Sequence, residues 1–281
     1  YPKYGPGQLW ETVATEVEKM GGKILLGAEV LGLTTEGGRV RSLRYRDESG
    51  EHTVEGDVFF SSMPVKDLVA GMNDVPADVA RVAAGLPYRD FVTVGLLVDR
   101  LNLKNETNHK TLGNIVPDCW IYVQDTNVKL GRIQIFNNWS PYLVEDPEHT
   151  VWIGLEYFCN EGDDFWNMSE EECVALAARE LCTMGVIDSP DHVRMSHRER
   201  VKKAYPAYFD TYDEMDKVVS YLSGFENLYC VGRNGQHRYN NMDHSMATSF
   251  EAVDNLVSGV KTKDNIWNVN TEQEYHEEKK A

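Results

Sequence analysis

The chain has 281 residues, 42% of them hydrophobic, and 45 Asp and Glu against 28 Lys and Arg give a formal net charge of −17. That length can bury a sizeable core in one or two domains. The acidic balance argues against nucleic acid and anionic lipid as partners, since both need a basic face; no run approaches the roughly 20 apolar residues of a membrane span, and no basic, apolar secretory leader is visible.

Residues 7–21 read as a helix, with Leu9, Val13, Val17 and Met20 at helical spacing and Gly21-Gly22 as its stop. Residues 23–30 form a short apolar strand. Residues 31–35 and 39–46 continue as strands around a Gly37-Gly38 hairpin, 51–55 pairs back, and 57–61 is a buried strand ended by Met63-Pro64. Short helices follow over 65–72 and 77–84. Strands at 88–97, 119–124, 132–137 and 151–158 predict a second, largely antiparallel sheet. Residues 169–184 form a helix with Ser169 as N-cap and Glu172 at the capping-box position. Residues 193–204 are extended, 229–231 is a short apolar strand, and 246–256 is a helix behind a polar loop. Residues 261–281 are mostly polar and read as a solvated tail. The chain opens at Tyr1-Pro2-Lys3-Tyr4 without a Met, which predicts an excised fragment or a mature product.

Five cysteines (Cys119, Cys159, Cys173, Cys182 and Cys230) are dispersed, odd in number and without a CxxC pair. Reduced thiols of a cytoplasmic protein are expected, with no zinc site or disulfide frame. His237 and His244 stand seven apart with no third ligand, so no metal site is expected. GxSxG, Walker A and HExxH are absent, which argues against common hydrolases and P-loop enzymes.

Residues 228–256 carry most of the functional information. A buried strand ends at Val231, Gly232 and Gly235 permit a tight turn or close approach to a ligand, and Asp243 or Ser245 can cap the following helix. Strand, glycine turn and helix N-terminus can cradle an anion or a cofactor. Turn chemistry alone fits an ordinary βα turn equally well.

The order Gly232-Arg233, Tyr239, then Asp243-His244-Ser245-Met246 resembles the last βα unit of the flavin-binding domain in the amine-oxidase and protoporphyrinogen-oxidase superfamily, most closely the eukaryotic-type UDP-galactopyranose mutases and their bacterial relatives. Tyr1–Gly7 is similar to the superfamily's entry to its helix, and 23–64 to the meander and return strand that follow. The resemblance implies FAD as cofactor, with Val30, Gly232, Arg233, Asp243, His244, Ser245 and Met246 as its contacts. The superfamily also opens with GxGxxG. This chain lacks that motif, so the expectation is that FAD belongs to the full-length protein and that the fragment alone holds it poorly or not at all.

In 119–142, aromatics interleave with amides and one arginine. Rings can stack on a base or sugar, amides can bond hydroxyls and an arginine can fork onto a diphosphate; packing of a sheet face explains any single ring as well. Tyr122, Arg132, Asn137 and Trp139 are the candidates here, beside Trp120, Asn138 and Tyr142. Tyr205, Tyr208 and Tyr239 are expected in the wall of a flavin pocket.

The expected fold is α/β (α+β by strict reckoning): residues 1–75 and 222–260 as the C-terminal portion of a Rossmann-like FAD domain, 76–221 as an antiparallel-sheet substrate domain, and 261–281 as a polar tail. The resemblance implies a mutase-like flavoenzyme acting on a nucleotide sugar in cell-surface polysaccharide (lipopolysaccharide) biosynthesis, reduced flavin acting through its N5 on the anomeric carbon without net redox change. The alternatives are an amine oxidase or a protoporphyrinogen-oxidase- or desaturase-like flavoenzyme, and a non-catalytic relative of the fold. No catalytic side chain is assigned. A small-molecule substrate is the expected partner, and a homodimer is compatible with the chain.

Overall fold

In the computed structural model residues 1–270 are described. Ten strands occur among them: β1 (Glu29–Glu36), β2 (Arg39–Asp47), β3 (Gly50–Glu55), β4 (Phe59–Ser61), β5 (Tyr88–Val98), β6 (Trp120–Tyr122), β7 (Arg132–Ile135), β8 (Val151–Cys159), β9 (Val193–Pro206) and β10 (Leu228–Cys230). The chain divides into two units, one made of Tyr1–Ile24 with Asp90–Lys202, the other of Leu25–Arg89 with the chain from Lys203 onward. The boundaries thus differ from the expected 75/76 and 221/222. The reason is packing: Val79, Val82, Ala83 and Leu86 share a core with Val65, Leu68, Val218 and Leu222, so 76–89 and 203–221 belong with the return strand.

The first unit is built on a five-stranded sheet in the order β6-β7-β8-β5-β9. β5 is antiparallel to β8, and β8 to β7, with Val94 opposite Leu155 and Ile133 opposite Leu155. One face alternates into the core: Val92, Val94, Leu96, Ile133, Ile135, Ile153 and Leu155 pack with Cys173, Ala177 and Leu181 of the helix Glu170–Thr183. Its capping box forms as expected, Ser169 accepting from the Glu172 N–H at 3.2 Å and Glu172 from the Ser169 N–H at 2.8 Å. Glu180 holds this helix to the sheet, accepting from the Lys129 N–H at 2.7 Å and the Tyr157 hydroxyl at 3.0 Å. The helix Pro6–Lys19 forms, with Pro6 in its first turn where the missing N–H costs nothing.

The second unit holds the meander β1-β2-β3 and the parallel pair β4 and β10. Asn227, 4% exposed, joins the two: its Oδ1 accepts from the Val40 N–H at 2.8 Å while its Nδ2 donates to Val40 O and Asp57 O, both at 2.9 Å. Gly32 and Gly71 approach backbone to backbone, a Cβ on Gly32 falling 2.2 Å from Gly71 O.

Three expectations are corrected. Residues 23–28 are not a strand; Ile24, Leu25 and Leu26 are exposed and β1 starts at Glu29. The expected strand to 137 stops at Ile135, where Phe136–Trp139 makes one helical turn. The polar tail is not solvated from 261: Lys263, Ile266, Trp267 and Asn270 are buried, because Ile266 and Trp267 enter the hydrophobic cores. The remainder of that tail, 271–281, lies outside the described residues.

Candidate functional site

β4 and β10 run parallel, Phe59 opposite Leu228 and Ser61 opposite Cys230. Both therefore end on the same side, where ligands of parallel sheets bind. Gly232 opens the turn after β10 at φ +75, a conformation that favours glycine. Gly232 is buried, and a Cβ there would meet Ser245 at 3.9 Å, an ordinary contact. Gly235 is the opposite case: a Cβ would fall 2.5 Å from Ser61 O and 3.2 Å from Ser62 Cα. Close approach of the two strand-end turns requires glycine at that position.

The loop 232–241 is stitched to the strap 203–208. Tyr205 and Tyr239 stack with centroids 5.5 Å apart, and the Arg233 guanidinium lies 5.1 Å from each ring. Arg233 also donates to Asn240 O at 2.8 Å and to Ala204 O at 3.1 Å. The Tyr239 N–H donates to the Tyr208 hydroxyl at 2.6 Å. His237 is fully buried, and burial pushes its pKa down to about 4, so the ring is neutral at pH 7. Its Nε2 lies 3.1 Å from Ala207 O, which assigns the proton to that nitrogen.

Four buried polar atoms in and beside this loop have no partner: Ser61 Oγ, Asn234 Oδ1, His237 Nδ1 and Asn240 Nδ2. Leaving such an atom unpaired costs about 1–3 kcal/mol, and their concentration at a strand-end turn makes this loop the candidate site. They supply donors and acceptors without a formal charge. That set matches the hydrogen-bonding chemistry of the hydroxyls and ring carbonyls of a flavin.

The helix Met242–Ser258 starts earlier than expected, and its N-cap is Asn241, not Asp243 or Ser245. Asn241 accepts from the N–H of His244, and His244 Nδ1 accepts from the Asn241 N–H at 3.3 Å. His244 is thus a capping residue. Asp243 is exposed in the first turn, and Ser245 and Met246 are half-buried on the next. The Gly232 N–H donates to Thr248 Oγ1 at 2.8 Å, tying the turn to this helix. Val30 lies in the meander opposite Tyr45, and no described contact brings it to the loop.

In the first unit, the sheet face opposite the core carries the other candidates. Tyr122 stands opposite Arg132 and Arg132 opposite Glu156 in register. Arg132 is 8% exposed and Glu156 3%, and Arg132 Nε donates to Glu156 Oε2 at 2.9 Å. Trp120 and Phe158 lie 5.1 Å from the guanidinium and Tyr122 5.9 Å. Gln134 Nε2 donates to Glu156 Oε1 at 2.6 Å. A solvent-facing sheet would show charged, mobile side chains here; this one presents exposed rings around a buried ion pair. Asn137 is committed to the scaffold, its Nδ2 donating to Thr150 O at 2.9 Å and its Oδ1 accepting from the Trp152 N–H at 3.0 Å. Trp139 meets Trp120 edge to face at 6.0 Å.

Of the sequence candidates, the structure thus gathers Gly232, Arg233, Tyr205, Tyr208 and Tyr239 in one unit, and Tyr122, Arg132 and Trp139 in the other. Sequence reasoning missed Asn234, Asn240 and Glu156, although two amides in a glycine turn were a signal. The five cysteines are free thiols. Among the described residues, no group of His, Cys, Asp and Glu could hold a metal ion, and no helix is long and apolar enough to cross a membrane.

No protein-family model matches the chain. Solved structures share its fold. Reduced UDP-galactopyranose mutase aligns with a TM-score of 0.75 at 16% identity, over 96% of this chain and 55% of that one. A putrescine oxidase triple mutant from a redesign of cofactor binding aligns at 0.59 and 11% identity, over 89% and 52%. A CLA-producing fatty acid isomerase from P. acnes aligns at 0.50 and 15% identity, over 81% and 47%. The chain spans about half the length of these proteins, and at such identities the likeness is one of fold. The mixed α and β fold expected from the resemblance is the fold observed.

Proposed function

We propose that this chain supplies the cofactor-closing and substrate-facing parts of an FAD-dependent oxidoreductase or mutase-like flavoenzyme, and that its substrate is a nucleotide sugar. The observation that carries the reading is the set of unpartnered polar atoms at the carboxyl ends of β4 and β10, on a chain with the fold of a UDP-galactopyranose mutase. Gly232, Asn234, His237, Asn240 and Ser61 would hold the flavin, with Ser245 and Met246 at the helix start beside them. Bound there, a flavin would supply hydride and electron-transfer chemistry that side chains lack.

The remaining steps belong to the protein. Arg233, fixed by two carbonyls and two rings, holds Tyr205 and Tyr239 in one orientation and places a positive charge beside them. Such a charge suits a diphosphate in an otherwise acidic chain. Trp120, Tyr122 and Phe158 offer ring faces for a base or sugar. Exposed apolar side chains on the helix Met242–Ser258, Phe250 at 61% and Val257 at 80%, are surface that further structure would cover. This fits a chain that spans half of its structural neighbours.

The reading extends to cell-surface polysaccharide synthesis in a cytoplasmic setting. The test is substrate titration of the flavin-loaded gene product at native length, in its reduced form with UDP-galactose and in its oxidised form with putrescine. UDP-galactose should bind and be converted without net flavin oxidation. Oxidation of an amine, with UDP-galactose inert, would replace the mutase reading by an oxidase.

A further inference from the structure

The segment 263–270 runs along β10 from its first residue to the loop beyond it, and buried contacts fix it at several points. At the start of the strand, Lys263, 5% exposed, donates to Leu228 O at 2.5 Å and to Phe225 O, with the Tyr229 ring 4.9 Å away. Next, Ile266 packs with Tyr229, Val231 and Ala252. The Gln236 side chain, 2% exposed and inside the candidate loop, donates to Ile266 O at 2.9 Å. Finally Asn270 Nδ2 donates to Tyr239 O at 3.1 Å and to Asn240 Oδ1 at 3.0 Å.

The last contacts fall on consequential residues. Tyr239 is the ring stacked beneath Arg233, and Asn240 carries an unpartnered Nδ2. Accepting from Asn270 fixes the amide of Asn240 so that its Nδ2 stays unspent. Without that bond the amide could turn and satisfy itself elsewhere. Burial of a lysine without a carboxylate partner is costly, and Lys263 is held in this way at the point where the segment docks.

We infer that 263–270 is a positioning strap, joined to the loop 232–241 through Asn270 and through the loop's own Gln236, and that it sets the loop for its ligand without touching that ligand. This rests on the reading of the loop as the cofactor loop and adds the residues that hold it in shape. Outer partners of this kind orient the groups that do the binding.

Asn270→Leu, and as a second variant Gln236→Leu, would be made in the gene product at native length. Amide exchange is followed by mass spectrometry, and flavin affinity by fluorescence quenching. The strap predicts about thirtyfold faster exchange over 232–241, from two lost hydrogen bonds of about 1 kcal/mol each, with exchange of β4 and β10 unchanged. The flavin dissociation constant should rise by a similar factor. Unchanged loop exchange in both variants, or exchange accelerated equally throughout the second unit, overturns the strap. Loop exchange that responds in a protein taking up no flavin overturns the cofactor reading and leaves the strap.

Discussion

Replacing Glu156 by leucine should destabilise the first unit more than any surface change. Glu156 is 3% exposed and accepts from Arg132 at 2.9 Å and Gln134 at 2.6 Å, while Arg132 is itself 8% exposed beneath three rings. The leucine would strip a buried guanidinium, set among three rings, of the carboxylate it is bonded to. Breaking a buried pair on one side costs about 3–5 kcal/mol, since the surviving charge keeps its desolvation penalty without the attraction. For a chain of this size, about 1 kcal/mol moves the melting point by 2–4 °C, so the fall should be about 6–20 °C. The double variant Arg132→Met, Glu156→Leu removes both charges and fills the space with apolar groups of similar volume. It should recover most of the loss, ending within about 1 kcal/mol of the parent. Urea titration followed by tryptophan fluorescence measures the free energies of the parent, of Arg132→Met and Glu156→Leu singly, and of the double variant. A single variant within about 1 kcal/mol of the parent, or a double variant as unstable as the sum of the two singles, would refute the buried-pair reasoning.

Gly235→Ala places a Cβ 2.5 Å from Ser61 O, against backbone that cannot give way cheaply. It should cost about 1–3 kcal/mol and weaken ligand binding at the loop, read by denaturant titration and flavin affinity together. Asn227→Ala strips partners from the Val40 N–H, Val40 O and Asp57 O, and a loss of about 3 kcal/mol or more should appear in the same titration. His237 gives a pH signature. Its folded pKa is near 4, below the ordinary His value, so the unfolded chain binds the proton first as pH falls. Stability from this group is intact above about pH 6.5 and is lost between there and pH 4, by up to about 3 kcal/mol. Unfolding curves of the parent should therefore lose stability over that window more steeply than those of His237→Leu; identical slopes would show that the ring is not buried neutral.

How much of this was legible in the sequence follows from how local each cause is. The capping box at Ser169 and Glu172 lies within four residues, and it formed as read. The Gly232 turn was legible because a strand, two glycines and a helix follow one another directly. The start of the helix was misread because Asn241, Asp243 and Ser245 all qualify as caps, and only the bond between Asn241 and the His244 N–H decides among them. Arg132 was singled out as a free clamp because its partner, Glu156, lies 24 residues away and meets it only through strand register. Lys263 and Asn270 were hidden in a polar stretch. Their partners are backbone carbonyls up to 38 residues distant, with the Asn240 amide as the one side chain among them, and carbonyls leave no trace in side-chain pattern. Ile24-Leu25-Leu26 misled in the other direction: an apolar run signals a strand only if a neighbour pairs with it.

The central claim is that the loop beyond β10 belongs to a flavin site. The most direct measurement is the visible absorption spectrum of the gene product purified at native length, before and after denaturation. The account predicts bands near the usual ~450 nm, released as FAD on unfolding and lost or weakened in Gly235→Ala. A colourless protein that takes up no FAD on reconstitution, in the parent and the variant alike, would contradict it.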